Sequence, residues 1–270
     1  MSAQAGFVPN VMTLGTGPRR ILALHCTMAF GGAWAGVAKH LGDITTIRAP
    51  DLPSHGRSAD WDEISDFGQT AFDSTLAALD DAPMDVVGHS FGGMTALRLA
   101  IAYPERIRTL TLIEPVFFAV AQQDQPEVMA DLDTRAAPFA DAIGRGDMAG
   151  AARAFNRMWG DGGPGWDTLP ESTRAAMTRA IHVVPDTYGL LYDDTAGMLA
   201  PGAMDRCTMP TLLMRGQKAH QSIIAVNDGL ARRLPNATQY VVEGSGHMAP
   251  ITHPARVAGA LKELFDRAPA

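Results

Sequence analysis

The residues best suited to chemistry fall in one stretch, Met84-Asp85-Val86-Val87-Gly88-His89-Ser90-Phe91-Gly92-Gly93. A short apolar run ends in Gly-His-Ser-Phe-Gly, and a helix-forming segment, Gly93 to Ala100, begins at once. Strand, sharp turn and helix, with Ser90 at the apex, is the geometry of a nucleophile elbow. Strand and helix approach closely at such a turn, so the residues two places either side must be small. Gly88 and Gly92 meet that demand. The helix start beneath Ser90 offers backbone N–H groups to developing negative charge, that of Phe91 first. A serine hydroxyl is a weak nucleophile at neutral pH, so the stretch also demands a base from elsewhere in the chain.

The elements that must position Ser90 alternate between strand and helix. Strands are predicted at 7–14, 20–25, 44–47, 84–87, 107–113, 210–214 and 238–242, and helices at 33–41, 62–79, 93–103, 222–233 and 254–265. This alternation implies an α/β fold, a mostly parallel central sheet with helices on both faces. Between 118 and 204 the strand signals vanish. Helical stretches at 127–143, 148–158, 171–182 and 187–199 replace them, with Gly160-Asp161-Gly162-Gly163-Pro164-Gly165 a flexible break among them. The chain therefore reads as a core, 1–117 and 205–270, carrying a helical cap at 118–204 after the strand that ends at Glu114. Ligands in such sheets bind at loops following the carboxyl ends of the strands.

Composition narrows the partners. The 270 residues are 46% hydrophobic and 19% charged, with a formal net charge of −7. That balance describes a globular protein and argues against nucleic acid or an anionic membrane surface. The most apolar stretch, Ile107 to Ala121, is interrupted by Glu114 and Pro115 and is too short to span a bilayer. No basic segment followed by an apolar one opens the chain, so a cytoplasmic location is expected, with Cys26 and Cys207 as free thiols. The histidines lack metal-ligand spacing, Gly15-Thr16-Gly17 precedes no helix, and there is no P-loop. No metal or cofactor is expected.

Residues 20–115 and 205–266 resemble the α/β-hydrolase superfamily, in its small cap-bearing bacterial branch, on the strength of the elbow and the order of the remaining pieces. The resemblance implies that His247, in Gly244-Ser245-Gly246-His247 after the last strand, is the base for Ser90. It commonly places an aspartate after the strand at Leu212–Met214, but here Ala219 stands about where that acid should be. A subset of the superfamily carries the acid at the end of the strand following the elbow helix, which is Glu114. A carboxylate closing an otherwise buried strand is costly unless paired, which favours Glu114 over Glu243 and Asp228.

The same resemblance implies an oxyanion hole from the backbone N–H groups of Phe91 and Thr27, with Met28 the alternative to Thr27. Cys26 occupies the place of the usual glycine in that loop, and His25 reads as a support for it. Asp51 and His55-Gly56-Arg57-Ser58 match the family's Asp-x-x-x-x-Gly-x-Ser loop and read as scaffold. His25, Met28, Phe117 and Phe118 are expected to border the substrate. The cap is rich in large apolar residues, Trp159 and Tyr192 among them, of which some should line an apolar pocket.

These features imply a serine hydrolase that cleaves a small ester or lactone through an acyl-enzyme on Ser90. Carbon–carbon hydrolysis of a diketone and perhydrolysis use the same constellation and remain open at this point. So does a member of the fold that binds a small ligand without turnover.

Overall fold

The computed structural model describes residues 7–160 and 165–268. Two readings touch the remainder. The opening residues 1–6 and positions 161–164 of the glycine-rich break lie outside the described residues.

The core begins with β1 (Val11–Leu14), β2 (Arg19–Leu24), α1 (Ala35–Leu41), β3 (Thr45–Pro50), α2 (Phe67–Ala78), β4 (Met84–His89), α3 (Phe91–Ala102) and β5 (Ile107–Ile113). Five helices follow without a strand: α4 (Phe118–Asp124), α5 (Met129–Gly144), α6 (Met148–Trp159), α7 (Glu171–Ala180) and α8 (Tyr188–Tyr192). The sheet resumes with β6 (Thr211–Gly216), α9 (Gln221–Arg233), β7 (Ala237–Val242), α10 (Ala249–Thr252) and α11 (Pro254–Asp266). The seven strands lie in the order β1-β3-β2-β4-β5-β6-β7, parallel except for β1, which pairs antiparallel with β3.

Alternating side chains on each strand face opposite layers, as the pleat requires. Leu22, Leu24, Val86, Leu110 and Leu112 pack toward α2, α3 and α9. Ile21, Ala23, Val87 and Ile113 pack toward α1 and α11. Burial on both faces fits the β-branched and aliphatic residues that dominate β4 and β5, with Asp85, Thr109 and Thr111 among the polar exceptions inside them. All parallel strands run the same way, so the carboxyl ends of β2, β3, β4, β5, β6 and β7 emerge on one edge, where the candidate site assembles.

Two helices differ from their sequence reading for local reasons. The stretch expected to be helical from 62 starts only at Phe67. The Asp62 carboxylate accepts from the N–H groups of Ile64 and Ser65 and makes a turn, and Asp66 then caps α2 by accepting from Gln69 N–H at 2.6 Å. The helix expected over 187–199 stops at Tyr192. Asp194 adopts φ +49, and its carboxylate accepts from the N–H groups of Met198 and Leu199. The first strand is likewise shorter than the 7–14 expected, because Pro9 lacks a donor and Asn10 N–H is drawn to Ser58 Oγ. No helix among the described residues is long and apolar enough to cross a membrane.

At the opposite edge of the sheet Asp85 is fully buried and accepts from Arg19 Nε at 2.6 Å, Arg19 Nη2 at 2.7 Å and Thr109 Oγ1 at 2.7 Å. Arg19 also donates to Phe265 and Ala268 carbonyls, tying α11 down. Removing one partner strands the other charge in the interior. Asp85→Ala is therefore expected to lower unfolding free energy by about 3–5 kcal/mol, read from urea denaturation.

Candidate active site

Ser90 sits between β4 and α3 at φ +56 and ψ −117, a conformation that costs a non-glycine residue about 1–3 kcal/mol. The surrounding contacts hold it there. Its N–H donates to the carbonyl of Ile113 at 2.9 Å, binding the apex to the end of β5. A side chain on Gly88 would be driven into Gly92, and one on Gly92 into the carbonyls of Leu24 and His25. Both glycines are therefore required by close approach of backbone to backbone. The Phe91 N–H opens α3 and has no acceptor among the described residues.

Glu114 follows β5 at φ +49 and is wholly buried. Its N–H donates to the carbonyl of Met214 on β6 at 2.8 Å. Both carboxylate oxygens are engaged: Oε1 accepts from Gly216 N–H at 2.6 Å, and Oε2 lies 2.8 Å from His247 Nδ1. His247 Nδ1–H is thus committed to the carboxylate, leaving Nε2 as the ring atom available for proton exchange. Gly216 must be glycine because the carbonyls of Ser245 and Gly246, just before His247, press against it. His89 Nε2–H donates to the His247 carbonyl at 2.8 Å. Burial, first, and the neighbouring His247 hold His89 well below the ordinary histidine range, so it serves as a neutral donor. The rival carboxylates stand elsewhere. Glu243 pairs with Arg256, and Asp228 lies within α9.

The loop after β2 is held by two histidines. His25 Nδ1–H donates to the Cys26 carbonyl at 2.8 Å, and its Nε2 accepts from Leu52 N–H at 3.0 Å. His55 Nδ1–H donates to the Pro53 carbonyl at 2.8 Å, and its Nε2 accepts from Met28 N–H at 3.0 Å. Met28, weighed above as an oxyanion donor, has therefore already spent its N–H. Thr27 N–H has no acceptor among the described residues. Burial pushes the Cys26 thiol up to about 12, so it stays protonated. Asp51 accepts from Gly31 N–H, Arg57 N–H and Asn10 Nδ2, tying the loop of residues 51–58 to its surroundings.

Ser90 and His247 open into one cavity of about 860 Å³. Thr27 and Met28 line it, and the cap covers it with Phe155 and Trp159 of α6 and Met177 of α7. The Trp159 ring lies 4.8 Å from that of His247, centroid to centroid. His25, Phe117 and Phe118, expected to border substrate, do not line the cavity. His25 faces the loop that it braces, and Phe117 is completely buried. Phe118 packs behind Trp159, its ring 6.3 Å away and near-parallel.

A sequence model of the Alpha/beta hydrolase family matches residues 21–260. The chain belongs to the alpha/beta hydrolase family. Lipase LipV of Mycobacterium tuberculosis is 42% identical over 103 residues, 37% of this chain and 38% of that one. The chain thus spans under two fifths of that lipase. A pimeloyl-[acyl-carrier protein] methyl ester esterase of Chromobacterium violaceum is 28% identical over 259 residues, 95% of this chain and 97% of that one. Among solved structures, MenH from S. aureus superposes with a TM-score of 0.71 at 14% identity, covering 96% of this chain and 99% of that one. That likeness concerns the fold.

For this alpha/beta hydrolase the cap contribution was the least readable part of the site. Phe155 and Trp159 stand four residues apart, on one face of α6, which is a visible signal. The sequence offers no sign that this face, rather than that of α5, looks down on Ser90. The bracing role of His55 also has no sequence signature beyond its loop.

Burial, the largest cause, and the neighbouring His25 push His55 down to about 3 from an ordinary value of 6.5. A histidine kept neutral in the fold but free to protonate in the unfolded chain makes the fold lose stability as pH falls from about 6.5 toward 3. His55→Gln should therefore flatten that acid loss by roughly 1.4 kcal/mol per pH unit, measured as urea stability across the interval.

Proposed function

We propose that this chain is a serine-dependent carboxylic ester hydrolase, lactones included, with Ser90, His247 and Glu114 as its triad. The single observation carrying this reading is the buried Glu114–His247 contact of 2.8 Å beside a strained Ser90 that shares one cavity with the imidazole. The names of the relatives, an esterase and a lipase, point to the same bond class.

In this scheme Ser90 Oγ attacks the ester carbonyl while His247 Nε2 takes its proton. Glu114 holds the Nδ1–H tautomer and stabilises the imidazolium that forms. The carbonyl oxygen becomes an oxyanion, received by the N–H groups of Phe91 and Thr27, which are otherwise without acceptors among the described residues. Collapse of the tetrahedral intermediate sends the alcohol out with the proton from His247. Water, activated by the same imidazole, then releases the acid. Trp159 above the imidazole ring keeps bulk water from the base and so strengthens these interactions.

Hydrolysis of p-nitrophenyl acetate and butyrate tests the scheme. Ser90→Ala should lower turnover by at least about a thousandfold. Unchanged turnover would place the chemistry at another residue. Glu114→Gln keeps the shape but removes the charge that fixes the tautomer, and should lower kcat by about three to four orders of magnitude with little change in KM. Near-normal kcat in that variant would assign the acid elsewhere.

A further inference from the structure

Among the cavity-lining residues that stand open to solvent are Phe30, Ile251 and Arg57, with Ser172, Thr173 and Ala176 of α7 on the cap side. Among the described lining residues Arg57 alone carries a permanent positive charge. Its backbone is fixed, because its N–H donates to Asp51 Oδ2 at 2.9 Å, yet its guanidinium has no acceptor among the described residues. The nearby charges are committed elsewhere. The Asp51 carboxylate already accepts three N–H donors. Arg179 pairs with Asp60 and donates to the carbonyls of Gly56 and Ser58.

An uncommitted guanidinium beside low-dielectric walls attracts anions, and its planar fork matches the oxygens of a carboxylate or phosphate. Phe30 and Ile251 add apolar surface to the same lining, and Ser172 and Thr173 add neutral hydroxyls, which leaves Arg57 as the permanently cationic group there. We propose that Arg57 selects the substrate: an ester whose apolar chain, on its acyl or its alcohol side, runs from Ser90 to the mouth and ends in a carboxylate or phosphate held by Arg57. This inference rests on Ser90 as the reacting centre, and it adds the chemical class of the ester.

Calorimetric binding to Ser90→Ala separates the two ideas, since that variant needs no turnover. The probes are monoethyl esters of straight-chain dicarboxylic acids from adipate to sebacate, their ω-phosphate analogues, and neutral analogues ending in a primary amide. Acetate esters of the corresponding ω-hydroxy acids place the anion on the alcohol side. At least one anionic series should bind about tenfold more tightly than its amide. That ratio should fall to about one in Ser90→Ala/Arg57→Gln and persist in part with Arg57→Lys, which keeps the charge but loses the fork. Whichever series keeps the preference identifies carboxylate or phosphate as the terminal group. The ratio of KM values for the same pairs should shift in step between the unmutated protein and Arg57→Gln. Equal binding of charged and neutral esters, or a preference that survives Arg57→Gln, overturns the assignment. Absence of Ser90-dependent hydrolysis of every ester would instead overturn the esterase reading.

Discussion

A fully buried carboxylate with both oxygens occupied is the constraint on which the rest of the site depends. Glu114 leaves water for an interior where an unpaired charge would be untenable. The N–H of Gly216 and the imidazole of His247 make its burial possible. Those two partners come from β6 and from the loop after β7, so one side chain joins the carboxyl ends of three parts of the sheet. Ser90 is tied to the same centre through its N–H bond to the Ile113 carbonyl, one residue before Glu114. The Ser90 turn, Glu114 and His247 thus share a hydrogen-bonded frame a few residues wide.

A second frame, built from neutral histidines, lies beside it, with the His25 carbonyl packed against Gly92 of the Ser90 turn. His25 and His55 each use both ring nitrogens on backbone groups, which holds the loop of residues 25–28 against the loop of residues 51–58. Burial, which keeps both rings below their ordinary range, is what allows Nε2 to accept. The cap leans on this same loop. Arg179 donates into it, and His182 stacks on Trp61 while its Nε2 lies 3.3 Å from Ser54 Oγ. The ceiling of the cavity and the loop of residues 25–28 are therefore braced through one set of residues.

How much of this was legible in the sequence follows from how local each feature is. The elbow is encoded within a few residues, and the glycines that it needs are the ones that backbone contact demands here. The parallel α/β order was readable because short strand-forming stretches, β4 and β5 among them, alternate with helix-forming ones along the chain. Glu114 was visible as a carboxylate closing such a run, aided by resemblance to a minority pattern. The cap was another matter. Which helix face looks at Ser90 is decided by contacts between distant segments, and Phe117 and Phe118 proved to be packing beneath the wall rather than the wall itself. The shortened helix at Tyr188–Tyr192 failed to follow its composition because one aspartate side chain captured two N–H groups.

The central claim is that the Ser90 hydroxyl is made reactive by His247 acting from the other end of the chain. Reaction with a fluorophosphonate, followed by mass spectrometry of the digested protein, measures this directly. The phosphonyl group should appear on the peptide containing Ser90, and His247→Gln should abolish its rapid attachment. Attachment at another residue, or at an undiminished rate in His247→Gln, would contradict the account.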